Sequence, residues 1–304
     1  MSKKYSMGEF ETVVVAGLGA RGLADGIEVK IAEVVKQNDC KWVGVEARRT
    51  GAHFGLVVYI EPWLKKFNEG QSLDSILGEI YDHILERIDE KVVNTEVIAD
   101  YRLIYRYIYF TVVPYDKNVK FLSDKPYVRK LDLAVIFRIY LDHDGDGLQS
   151  VTVTDKIKEQ WDVSLEDLWS VAFANTLRLM PTSFRRMGDV LGDLIDDSVD
   201  LADMLGAPQM YVLSNTYGIY GAALMLYPSV LLDAAKIMKT NQLLILPSSV
   251  HEVIILAWDG GKYKDLDDIC NMIGEINSTA LMEEDILGYR PYLFTVEDKK
   301  LALV

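Results

Sequence analysis

Two uninterrupted apolar runs, Leu243 to Leu246 and Val253 to Trp258, flank a tight turn that starts at Pro247, Ser248 and Ser249. No other stretch restricts the fold as much. A run without a polar residue has no face to offer water, so both segments belong in the interior of a sheet, and proline with serine favours the turn that joins them. Upstream, Met210 to Leu213 reads as another strand and Tyr220 to Met238 as one long buried helix. The C-terminal part is thus ordered strand, helix, strand, turn, strand.

The N-terminal part is punctuated differently. From Ser6 to Leu23, Phe10, Val13, Val14 and Leu18 can share a helical face, with an exit among the glycines from Gly19 to Gly26. Ile27, Val29 and Ile31 alternate with Glu28 and Lys30 and, across a turn at Gln37 to Asp39, meet Trp42, Val43 and Val45 as a β-hairpin. A third strand at Gly55 to Ile60 leads into a short helix from Glu61. Ser72 then caps a helix that aligns Leu73, Ile76, Leu77, Ile80, Ile84 and Leu85 on one stripe. These elements make an α-β-β-β-α unit over residues 1–98.

Residues 99–304 form a larger α+β unit. Tyr101 to Val113 is a strand that begins as the end of a helix, and Leu131 to Leu141 turns through Asp142 to Gly147 into Ser150 to Thr154 as a hairpin. Helices start near Thr154 and Ser164, one or two more fill Met187 to Met204, and another begins at Leu266. A helical turn at Met282 and a strand from Pro291 close the chain. The fold class expected is α+β, with mainly antiparallel sheets and packed helices.

Composition narrows the class of function. With 304 residues, half of them hydrophobic, a substantial core is available. Cys40 and Cys270 are too few for a disulfide framework and fit free thiols in a reducing cytoplasm. The longest apolar run, around Ile219 to Leu232, contains Pro228 and falls short of the ~20 residues of a membrane span. A net charge of -14 disfavours direct nucleic-acid binding, which draws on clustered cations. Asp189, Asp193, Asp196, Asp197, Asp200 and Asp203 read as a solvated helix face, with an acidic partner surface or nucleic-acid mimic as the alternative.

Four patterns bear on chemistry, each with a plain structural reading beside it. Gly17, Gly19 and Gly22 satisfy G-x-G-x-x-G after an apolar run, with Glu46 downstream, but a dinucleotide loop needs a helix directly after Gly22 and a strand pattern follows instead. Asp142, Asp144 and Asp146 imitate the first half of a calcium loop, yet position twelve is Val153 and the flanks are strands, so a hairpin tip is favoured over a metal site. His251 and Glu252 begin like a zinc-protease helix, but Ile255 stands where the second histidine belongs. Ser248, Ser249, His251, Glu252 and Asn215 remain as a candidate catalytic set for a hydrolase or nucleotide-handling enzyme, against turn hydroxyls that satisfy local backbone groups.

Trp161 to Thr176, Asn215 to Ala223 and Leu246 to Leu256, together with Val29 to Asn38 and Tyr59 to Trp63, resemble a bacterial family of gut-type Gram-positive species, domain of unknown function 5688, over nearly the whole chain. The resemblance implies that Val13 to Gly22 belongs to a helix. It assigns no catalytic residue and no cofactor, and implies a cytosolic protein with a place in mobile-element or phage biology. The function expected is a non-enzymatic binding or regulatory protein, acting through a protein-protein surface and using no cofactor.

Overall fold

The computed structural model describes residues 4–51, 55–88, 95–144, 147–192, 210–258 and 266–304. The chain is α+β, with every strand pairing antiparallel among the described residues. It divides into two compact units, residues 1–36 with 40–98, and residues 37–39 with 99–304. Among the described residues no helix is long and apolar enough to cross a membrane.

In the first unit the helix Met7–Asp25 is bounded at both ends by local chemistry. The Ser6 hydroxyl accepts the Glu9 amide while the Glu9 carboxylate accepts the Ser6 amide, a reciprocal capping box, and Gly26 closes the helix in the left-handed region at φ 66°. Strands β1 (Ile27–Val35), β2 (Lys41–Arg49) and β3 (Leu56–Tyr59) follow as a meander in that order. The helix Leu73–Arg87, with Ser72 capping the Ser75 amide, buries Ile76, Ile80 and Ile84 against Phe10, Val14 and Leu18 of the first helix and Val45 and Val58 of the sheet.

That packing accounts for the G-x-G-x-x-G pattern. A β-carbon on Gly17 would lie 2.5 Å from Leu77 Cδ1, and one on Gly22 would lie 2.6 Å from the Ile27 carbonyl oxygen. Two of the three glycines therefore allow close approach of neighbouring elements, inside a helix that continues through all of them.

The second unit has two sheets. One is built from β4 (Ile108–Pro114), β6 (Leu133–Asp144) and β5 (Tyr127–Lys130), with β7 (Gly147–Thr152) also paired to β6. The other runs β13 (Lys300–Leu303), β12 (Tyr292–Thr295), β10 (Gln242–Pro247), β11 (Val253–Ala257), β9 (Met210–Asn215), β8 (Thr182–Arg186). The two apolar runs around Pro247 are its central pair, β10 and β11, and their leucines and isoleucines are buried or half-buried throughout. The helix Leu165–Leu179 packs on β4, where Phe110 meets Trp169, Phe173 and Tyr227. The Tyr292 hydroxyl donates to Asp132 at 2.8 Å and ties β12 to the turn between β5 and β6.

Several expectations are corrected, and Pro247, expected in the turn, is the last residue of β10, paired with Val253. Tyr220 to Met238 is not a single helix but a 3-10 segment, Gly221–Leu226, followed by the helix Pro228–Met238. Pro228 cannot continue a helix that precedes it and holds Tyr227 extended at φ -94°, ψ 110°, so it opens the second element. Strands β5, β8 and β13 lie beyond those expected from sequence, and Leu131, expected within a strand, is a turn residue with φ 57°.

Candidate functional site

The turn between β10 and β11 is held by a dense set of hydrogen bonds centred on His251. The Ser249 amide donates to the Glu252 carbonyl at 3.0 Å, and the His251 amide donates to the Ser249 hydroxyl at 3.1 Å. Val250 donates its amide to the Asp285 carbonyl at 2.8 Å, which fastens the turn to the 3-10 segment Glu283–Asp285. The imidazole is engaged at both nitrogens. Tyr220 donates its amide to Nδ1 at 3.2 Å, so Nδ1 is the acceptor and the neutral ring carries its proton on Nε2, which reaches Asp285 Oδ1 at 3.1 Å.

Asn215 sits at the end of β9 facing the same turn region. Its Oδ1 accepts the amides of Tyr217 and Ile219, and its Nδ2 donates to the Ile219 carbonyl at 2.7 Å. These bonds fold the segment between β9 and the 3-10 helix so that Tyr220, at φ 58°, presents its amide to His251. Ser214 donates its hydroxyl to the His251 carbonyl at 2.8 Å. Gly221 lies where these strands of backbone converge: a β-carbon there would be 2.4 Å from Ser214 Oγ, 2.6 Å from the Asn215 nitrogen and 2.7 Å from the His251 carbonyl oxygen.

The structure thus brings Asn215, Ser249 and His251 into one network, but through backbone groups. A hydroxyl nucleophile is activated when a histidine ring nitrogen takes its proton. Here the Ser249 hydroxyl meets the histidine amide, and neither ring nitrogen points to a serine. Ser248 is half-buried beside it. Burial pushes the Glu252 carboxyl up from its ordinary range, with the nearby His251 opposing the shift. The Tyr220 ring lies 5.6 Å from His251 and covers the Arg138 guanidinium at 4.7 Å, whose nitrogens donate to the Ser150 and Thr152 hydroxyls.

The hairpin tip is placed in part. Asp142 is exposed and its carboxylate accepts the His143 amide at 2.8 Å, with a β-bulge between Tyr140 and Asp142. Asp146 and the Asp144 side chain lie outside the described residues, as do Asp193, Asp196, Asp197, Asp200 and Asp203; Asp189 is exposed. Among the described residues no group of three or more metal-ligating side chains converges.

Asp285, Tyr220, Ser214 and Gly221 escape a reading of the sequence, because only folding brings them to His251. So does a groove of about 540 Å³ formed by Tyr115, Leu122, Lys125 and Tyr127 with Asp155 and Lys158. Val119, Pro126 and Leu165 add apolar wall. The Tyr115 and Tyr127 rings are 5.8 Å apart, and a hydrogen bond with Tyr115 holds the Tyr127 phenol above its usual range. No local pattern announces it, since its charged lining, Lys125 and Lys158 with Asp155, comes from two segments 30 residues apart.

Sequence comparison supplies the family. The profile of a family of unknown function, DUF5688, matches residues 7–295. The chain belongs to the DUF5688 family. The match covers the His251 turn, the Asn215 segment and the groove of this DUF5688 member. No curated protein and no solved structure matches it.

Proposed function

We propose that this DUF5688 member is a non-enzymatic binding protein that acts in the cytoplasm through a surface on its second unit. The observation that carries the reading is the contrast between two places. Around His251 the Ser214 hydroxyl and the imidazole Nδ1 hold backbone and Nε2 is taken by Asp285, whereas the groove beside Tyr115 and Tyr127 is open and joins aromatic, apolar and charged groups. Concave surfaces of this size that combine apolar wall with polar groups can hold ligands and partner side chains. Cys40 and Cys270 carry no disulfide, which supports a reducing compartment.

The test is crosslinking of the full chain in its native cell, followed by identification of what it carries. A defined protein partner is the expected result. Recovery of none, together with turnover of a small molecule that His251→Ala abolishes, would reject the reading in favour of a hydrolase.

A further inference from the structure

Arg138 stands on β6 directly between Tyr109 of β4 and Thr152 of β7, so the three side chains share one face of the sheet. Its guanidinium is half-buried. It donates from Nε and Nη2 to the Ser150 hydroxyl, at 3.0 and 2.9 Å, and from Nη1 to the Thr152 hydroxyl at 3.0 Å. Among the described residues it forms no ion pair. Acids are not scarce in this chain, with 46 against 32 lysines and arginines, and Arg21, Arg48 and Arg102 reach carboxylates at 2.7, 2.6 and 2.7 Å. A tie between β6 and β7 does not explain Arg138, because the backbone ladder already joins the two strands.

The groups around this cation have protons to give and no acceptor to take them. A guanidinium carries five N–H groups, and two of those on Arg138 are left without a protein partner among the described residues. The Ser150 and Thr152 hydroxyls accept from Arg138 and keep their own protons to donate. The Tyr109 side chain is 0% exposed, and its hydroxyl has no hydrogen-bond partner. Burial raises this phenol above its ordinary value, while Arg138 and Ser150 beside it oppose the rise without meeting it in hydrogen-bond geometry. A buried hydroxyl left unpaired is uncommon in a folded chain and points to a missing partner. A water there would satisfy the hydroxyl, but it would not balance the charge.

Carboxylates on the neighbouring elements are engaged elsewhere. Asp142, further along β6, is exposed and accepts the His143 amide, Asp285 meets His251, and burial disfavours the charged form of Glu252. The Tyr220 ring covers the guanidinium, its centroid 4.7 Å away, and is held there by the bond from its amide to His251. Stacking of this kind occupies the face of a guanidinium and leaves its N–H edge for an acceptor.

We infer that Arg138, with the hydroxyls of Tyr109, Ser150 and Thr152, is a receptor for the oxyanion of a small ligand, a phosphate or carboxylate group seated beneath the Tyr220 ring. Guanidinium donors in a fixed plane suit either group, and the hydroxyls turn to follow its oxygens. The site shares no residue with the groove beside Tyr115, so each stands without the other.

The test is titration of the full chain, labelled with 15N-arginine, with sodium phosphate and separately with sodium acetate, the ionic strength being held constant with sodium chloride. The Arg138 Nε–H resonance, assigned by its loss in Arg138→Gln, shifts saturably, and the unfolding temperature rises with the same anion. Tighter binding of phosphate identifies a phosphoryl ligand, and tighter binding of acetate a carboxylate. Tyr109→Phe, which keeps the ring, weakens binding by about two- to tenfold, the scale of one hydrogen bond. Arg138→Gln weakens it by about tenfold or more, as expected for loss of charged donors. Ser150→Ala, at a half-buried position, supplies a further variant if Arg138→Gln does not fold. Absence of a saturable shift with both anions, or affinity unchanged in both Tyr109→Phe and Ser150→Ala, overturns the inference.

Discussion

Among single residues, those of the His251 network depend on absence of bulk as much as on hydrogen bonds. Gly221 has two backbone atoms and a hydroxyl within 2.7 Å of where a β-carbon would stand, and backbone cannot swing aside as a side-chain tip can. Gly221→Ala is expected to destabilise the second unit by about 1–3 kcal/mol, the usual cost of overpacking, measured by urea denaturation. Glu252 gives a prediction in pH. Its folded carboxyl is raised above its ordinary 4.5 by burial, so the folded state holds the proton more tightly than the unfolded chain. The stability this contributes is complete below 4.5 and is lost as pH rises through the folded value. Glu252→Gln, which stays neutral, is therefore expected to be more stable than the parent at neutral pH. That advantage should shrink as the pH is lowered; one that grows on acidification would contradict the assignment.

Among the elements, the glycine-rich first helix offers a direct comparison. A β-carbon on Gly19 would meet nothing within 4 Å, while one on Gly22 would meet the Ile27 carbonyl oxygen at 2.6 Å. Both are inside Met7–Asp25. Gly19→Ala is expected to raise stability by about 0.5–1 kcal/mol through helix propensity, and Gly22→Ala to lower it by about 1–3 kcal/mol through the clash. Thermal unfolding of the two variants decides, and loss of stability at both positions would show that Gly19 has a role beyond helix backbone. Tyr292 makes the corresponding point in the second unit. Its buried hydroxyl donates to Asp132, and burial raises the phenol well above its usual range. Tyr292→Phe leaves the carboxylate without that donor and is expected to cost about 1–3 kcal/mol in denaturant.

For the molecule as a whole, the first unit has a core of its own, from Phe10 through Ile88, that among the described residues draws on none outside the unit. A fragment of residues 1–98 is therefore expected to unfold cooperatively by circular dichroism, and a non-cooperative melt would show that its core is not self-sufficient. Much of this molecule is legible in its sequence. The first helix, the hairpin of β1 and β2, and the central position of β10 and β11 all follow from patterns a few residues long. The edge strands β5, β8 and β13 do not, because a short exposed strand takes its conformation from the neighbour it pairs with rather than from its own alternation.

The candidate site divides along the same line. Local apolar runs and turn residues suffice to put a connection with Ser248, Ser249 and His251 between two buried strands, although Pro247, expected in the turn, ends β10 paired with Val253. What His251 does there is a product of long-range folding. Its partners Tyr220 and Asp285 are 31 and 34 residues away, and the groove joins residues near 120 to others near 160. Contacts across such separations are fixed by sheet register and helix packing, which no local pattern encodes.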